Sequence, residues 1–170
     1  MASNRKLGKR TDQRVQLVYS QASALLWYGK LTTTLERAKE VRKVAEKMIT
    51  LAIRTYDDVV EVQKAKTNLK NEKIMVDFVN DGPRKLAARR RMLADLQNIP
   101  ELQGDKEKKA AYKARTKDIK CPLIEKIFRV HAPKYDARAK ELGQGGGYTR
   151  ILKLSNRRGD DAKEVILELV

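Results

Sequence analysis

The sequence predicts an α+β fold in two layers: helices packed on a small mixed sheet, with a C-terminal β-hairpin, an inserted hairpin and a Lys-rich helical insertion. Three observations predict it. Apolar residues recur every three to four positions over residues 12–28 and 33–55, the spacing of one helix face. Strand-like runs flank the turn Asn156–Asp161 near the end of the chain. A second pair of runs rich in β-branched residues lies at 56–80.

The elements follow in order. Residues 1–10 hold Arg5, Lys6, Lys9 and Arg10 and no acid, while Ser, Asn and Gly disfavour autonomous structure there. Such an arm is either disordered or ordered by a partner, and the charge favours the partner. Over 12–28, Val15, Val18, Ala22, Leu25 and Leu26 form an apolar stripe; Thr11 is placed to cap its start and Gly29 to end it. A short β-like run, Lys30–Thr33, leads into the next helix. There Thr33 and Glu36 have capping-box spacing, and Leu35, Ala38, Val41, Ala45, Met48 and Ala52 make one face. The opposite face carries Lys39, Glu40, Arg42, Lys43, Glu46 and Lys47.

Val59, Val60 and Val62, then Ile74, Val76, Phe78 and Val79, predict a projecting hairpin around the polar turn Thr67–Lys73. Asp81 and Pro83 open a third helix with Leu86, Leu93 and Leu96 along it. Arg89, Arg90 and Arg91 fan around that helix, because successive residues are about 100° apart. Residues 97–120 are a Lys-rich insertion, helical over 105–117. A helix starts at Pro122, turns Leu123, Ile124, Ile127 and Phe128 to the core, and is stopped by Pro133. The loop Gly143–Gly147 then feeds the strands Tyr148–Leu154 and Lys163–Val170, which join the run near Leu31 in a small sheet. Residues 1–170 read as one domain.

Charge narrows the function. The chain has 170 residues with 38 basic and 22 acidic side chains, a net charge of +16. A compact fold with that excess repels itself, and a densely charged anion relieves the repulsion. Nucleic acid is the expected anion, because each phosphate neutralised by Lys or Arg releases a condensed counterion. The excess is uneven: residues 1–55 carry +8, 56–80 carry −1, 81–120 carry +6 and 121–170 carry +3. The inserted hairpin is therefore expected to meet protein or solvent rather than RNA.

Two passages are specific. One is Thr33-Thr34-Leu35-Glu36-Arg37-Ala38-Lys39-Glu40-Val41-Arg42, continuing Ala45-Glu46-Lys47-Met48-Ile49-Thr50-Leu51-Ala52. The other is Gly146-Gly147-Tyr148-Thr149-Arg150-Ile151-Leu152-Lys153-Leu154, then Arg157-Arg158-Gly159-Asp160 and the ending Glu168-Leu169-Val170. With Arg5-Lys6-Leu7-Gly8-Lys9 and Ala132-Pro133-Lys134-Tyr135, they resemble the family of bacterial large-subunit ribosomal protein seventeen. The resemblance covers about residues 4–55, 84–96 and 121–170; residues 56–80 and 97–120 look like insertions relative to the shorter common form.

The resemblance implies a structural, non-enzymatic, cytoplasmic protein of the large ribosomal subunit. It implies contacts to 23S ribosomal RNA near the nascent-chain exit, with neighbouring large-subunit proteins as partners. Carried over by position, the RNA-facing candidates are Arg5, Lys6, Lys9, Arg10, Arg14, Arg37, Lys39, Arg42, Tyr148, Arg150, Arg157 and Arg158. Arg89, Arg90 and Arg91 join them on charge alone. Arginine's planar fork suits bidentate phosphate contact. Tyr148 either stacks on an unpaired base or packs in the core. The glycine run either admits a sugar-phosphate chain or is a plain linker. The arginine clusters either meet phosphate or are solvated charge.

Other chemistry has little to stand on. Cys121 and His131 are the only residues of their kinds, ten positions apart near opposite ends of one expected helix, too distant for a nucleophile–base pair. One cysteine gives no intramolecular disulfide, and neither CxxC nor HxxxH occurs. No phosphate-binding P-loop motif occurs either. Cofactor, metal, membrane and small-molecule substrate are not expected. A free nucleic-acid-binding protein, such as a nucleoid or RNA-chaperone protein, is the alternative reading.

Overall fold

A computed structural model describes residues 5–67, 73–117 and 119–170. In chain order it contains α1 (Thr11–Tyr28), β1 (Lys30–Thr34), α2 (Leu35–Ile53), β2 (Val59–Thr67), β3 (Lys73–Asp81), α3 (Pro83–Asp95) and α4 (Lys109–Thr116). Then come α5 (Pro122–Lys126), a π-helical turn (Ile127–His131), α6 (Ala132–Leu142), β4 (Thr149–Asn156) and β5 (Lys163–Leu169). The α+β class holds. Every strand pairing is antiparallel, so the mixed sheet expected from the sequence is an antiparallel one.

The first sheet has the order β1-β5-β4, joining the chain's ends as the short run near Leu31 predicts. Its central strand alternates: Val165 and Leu167 are fully buried while Glu164, Ile166 and Glu168 face the other way. The buried side meets Leu25 and Leu26 of α1, Val41, Ala45, Met48 and Ile49 of α2, Leu123 and Ile127, and Tyr135 of α6. Each fully buried Leu, Ile or Val contributes about 1.5–3 kcal/mol, so this cluster carries the fold.

α1 ends as the sequence predicts, with Gly29 at φ 81° and its N–H bonded to the Leu25 carbonyl at 2.8 Å. Its start differs. Arg10 occupies the capping position and no side chain caps the helix. Val15, expected in the core, is exposed at the groove between α1 and α2.

The capping box at Thr33 is also not formed. The strand runs directly into α2, Thr34 takes the cap position, and Thr33 is buried in β1 with its hydroxyl 3.3 Å from the Gln21 side-chain amide.

α3 is rotated so that its leucines do not share the core face. Leu86 and Leu93 are exposed, and Ala88, Met92 and Leu96 face the core, about 100° around the helix. Ion pairs fix that rotation: Lys85 reaches Asp81 at 3.4 Å, and Arg89 reaches Asp81 and Glu125 at 2.5 Å each. Asp81 does not cap α3. Asp58 does so from the other side of the hairpin, its carboxylate accepting the Arg84 and Lys85 amides at 2.8 and 3.2 Å.

Pro133 does not stop its helix. The Ala132 N–H bonds back to the Ile127 carbonyl across the π turn. That wider turn resets the helix so that Pro133 falls in the first turn of α6, where its missing N–H is harmless. The helix ends instead at Gly143, φ 67°.

The inserted hairpin forms, with β2 and β3 in register from Val59 opposite Asp81 to Thr67 opposite Lys73. Most of its expected turn, residues 68–72, lies outside the described residues. The Lys-rich insertion contains a shorter helix than expected. It closes on itself, with Arg115 bonded to Glu107 at 3.1 Å and also to Glu101, and the Tyr112 hydroxyl donating to the Glu101 carbonyl at 2.7 Å.

Candidate nucleic-acid interface

The arm is ordered by the chain itself from residue 5 onward. Leu7 and Gly8 both take positive φ, 55° and 62°, and the Lys9 N–H closes the turn on the Lys6 carbonyl at 3.2 Å. Arg5 then reaches across to α2, donating to Glu40 at 3.0 Å and pairing also with Glu36. Glu40, on the face opposite the apolar stripe, is buried. Burial pushes its carboxyl up, but hydrogen bonds from Lys43 and Arg5 outweigh that and hold it below the ordinary glutamate value. This internal anchor holds the described part of the arm on α2.

Ion pairing sorts the remaining candidates. Arg10 holds Asp12 through two contacts at 3.0 and 2.8 Å, Lys39 holds Glu36 at 3.1 Å and Arg42 holds Glu46 at 3.1 Å. Arg91 pairs with Asp95 at 3.1 Å. Arg150 grips Glu168, its cross-strand partner, at 2.9 and 2.7 Å. Arg157 clamps Asp160 at 2.9 and 2.6 Å, and its guanidinium pulls that carboxyl down to about 2. Exposed pairs of this kind are weak and screened by salt, so a phosphate can displace the carboxylate.

Arg89 is different. Its side chain is 22% exposed, it bridges Asp81 and Glu125, and it lies 5.3 Å from the Phe128 ring centre. Burial disfavours its charge, and the bonds to Asp81 and Glu125 overcome that. Its guanidinium ties the hairpin, α3 and α5 together.

Tyr148 is also withdrawn from the candidates. It is 7% exposed, and its ring packs 5.0 Å from that of Tyr135, so no face is open to a base. The core alternative weighed for it is the one realised. The glycines before it are exposed, with Gly146 at φ 98° and Gly147 at φ 61°; the loop needs them for backbone conformation.

Lys6, Lys9, Arg14, Arg37, Arg90 and Arg158 have no acidic partner among the described residues. Three regions distant in sequence converge on one open groove. Leu7 of the arm, Thr34–Arg37 at the start of α2, and Arg157, Asp160, Ala162 and Lys163 of the C-terminal hairpin line it. Arg37 and Arg157 therefore share a surface, whereas Arg14 lines a different groove with Arg5 and Lys43. Lys163 and Lys43 were not among the sequence candidates. Lys163 opens the strand that follows the turn containing Arg157 and Arg158, and that proximity was the available signal.

The lone Cys121 is half-buried at the start of α5, and His131 is buried with Nε2 2.9 Å from the Leu26 carbonyl. Among the described residues no helix is long and apolar enough to cross a membrane, and no three His, Cys, Asp or Glu side chains gather as metal ligands.

Comparison with known proteins agrees along the length of the chain. The family model "Ribosomal protein L17" matches residues 17–170. The large ribosomal subunit protein bL17 of Lachnospira eligens is 39% identical over 189 aligned positions, covering all of both chains. That of Acetivibrio thermocellus is 36% identical over 181 positions, again all of both. That of Limosilactobacillus reuteri is 38% identical over 169 positions, covering 99% of this chain and 98% of its own. The match spans both segments read as insertions, and on this footing the chain belongs to the ribosomal protein L17 family.

Proposed function

We propose that the protein is a non-enzymatic structural component of the large ribosomal subunit in the cytoplasm, and that it binds 23S ribosomal RNA and neighbouring subunit proteins. Full-length similarity to large-subunit proteins named bL17 is the observation that carries this reading. The charge distribution supports it: an excess of +16 remains after the internal pairs form, and it includes unpaired cations on the arm, α2 and the C-terminal hairpin. The mechanism is electrostatic. Lys6, Lys9, Arg37 and Arg158 meet phosphates directly, and Arg10, Arg150 and Arg157 exchange an exposed carboxylate for a phosphate. A place near the nascent-chain exit belongs to the same proposal and rests on the family resemblance alone.

A high-salt sucrose gradient of cell lysate tests it. The protein is expected to sediment with the large subunit at stoichiometric abundance. Release to the top of the gradient would reject integral membership and favour a free nucleic-acid-binding protein.

A further inference from the structure

The inserted hairpin departs from the rest of the molecule in both packing and charge. Residues opposite each other in an antiparallel pair share a face, so the register places Val59, Glu61, Gln63 and Ala65 of β2 beside Asp81, Val79, Asp77 and Met75 of β3. On this face Val79 is 68% exposed and Met75 61% exposed, and Val59 is exposed as well. An isolated two-stranded hairpin is marginal in water, and large apolar side chains presented together mark an interaction surface.

The face also carries its own charge signal. Most acids on the body of the protein are neutralised from within, as Glu36, Glu46, Asp95, Asp136 and Glu168 are. Glu61 and Asp77 have no cationic partner among the described residues, and both stand on the face that exposes Val79 and Met75. Among the described cations of the hairpin, Lys64 sits on the opposite face, 5.4 Å from the Phe78 ring centre, and Lys73 ends this face, opposite Thr67. RNA phosphates would be repelled from these two carboxylates, and water would leave the valine and methionine exposed. A polypeptide with Lys or Arg between apolar residues satisfies both.

We propose that the Glu61–Asp77 face of the hairpin docks a basic protein segment, whose cations meet Glu61 and Asp77 and whose apolar residues cover Met75, Val79 and Val59. This rests on the large-subunit reading, because the particle is where such a segment is supplied. The hairpin thereby acts as a protein-facing arm beside the cations proposed to meet RNA.

The test places a photo-crosslinking residue, p-benzoylphenylalanine, at Met75 or at Val79 of the full-length chain and irradiates purified large subunits. Adducts are expected in a peptide of net positive charge, and their yield is expected to fall at least about tenfold when Glu61→Lys and Asp77→Lys are combined. Adducts to ribosomal RNA would overturn the proposal. So would a yield no higher than from the same probe at solvent-exposed Leu102. Absence of the unsubstituted chain from the particles would sink the large-subunit reading and this proposal together, whereas a chain that is present but crosslinks wrongly would sink only the proposal.

Discussion

Arg5 donates to Glu40 at 3.0 Å across 35 positions of the chain, and through that bond the basic arm is held against the second turn of α2. The same Glu40 oxygen accepts Lys43 at 3.1 Å, so one buried carboxylate organises two cations. Removing Arg5 leaves Lys43 to hold Glu40 alone and frees the arm. Arg5→Ala is expected to abolish hydrogen-exchange protection of the Lys9 amide, whose bond to Lys6 depends on the docked turn. Unchanged protection would mean that the turn at Leu7–Gly8 holds by itself.

Asp58 and Gly82 form a second such relationship. A Cβ built on Gly82 lies 2.4 Å from the Asp58 carboxylate, although Gly82 has an ordinary φ of −68°. Asp58→Ala is expected to cost about 1 kcal/mol in urea unfolding, the usual value of a lost helix cap. Gly82→Ala should destabilise the native protein and cost much less when Asp58 is already Ala. Additive costs would show that the cap and the glycine are independent.

His131 predicts a pH dependence. The Leu26 carbonyl can only accept, so Nε2 carries the proton of the neutral ring. Burial pushes the imidazole's pKa down, opposed by the Leu26 bond and aided by the charges of Lys126 and Lys134. Above about pH 6.5 the ring is neutral in both folded and unfolded chains, and stability is at its full value. As pH falls below that, the unfolded chain takes up a proton that the folded one refuses, and stability declines by at most about 1.4 kcal/mol per pH unit. Urea unfolding between pH 5 and 7.5 should show this slope for the native protein and lose it in His131→Gln, which keeps a donor for Leu26. Parallel profiles would contradict it.

Much of this structure was legible beforehand, and particular residues show where legibility ended. The stripe from Ala38 to Ala52 has one periodicity over about four turns, and the turn Asn156–Asp161 separates two strand-like runs; both signals are local, and both elements formed. Long-range pairing is not written in any window. Leu86, Leu93 and Leu96 could be placed along α3, but not which of them faces the core, because Asp81 and Glu125 hold Lys85 and Arg89 from other elements. Pro133 looked like a stop because nothing in the sequence announces a π turn before it. The same limit governs the interface. Positive charge is visible in the sequence, but whether an arginine is already held by a carboxylate 8 or 36 positions away, as Arg89 is, appears only when the chain is folded.

Arg89→Gln is accordingly expected to act on the fold. It leaves Asp81 and Glu125 partly buried without their shared cation, at a cost of about 1–3 kcal/mol in urea unfolding. An unchanged unfolding midpoint would return Arg89 to the solvated cations.

The sorting of cations into those that hold the fold and those left for RNA is tested most directly by the salt dependence of binding to purified 23S ribosomal RNA. The native protein, the double variant Arg37→Ala with Arg158→Ala, and Arg89→Gln would be compared at the same salt concentrations. The double variant should lose roughly 0.7–0.9 from the slope of log affinity against log salt for each phosphate contact removed, and Arg89→Gln should keep the native slope. A native slope in the double variant with a reduced one in Arg89→Gln would contradict the account.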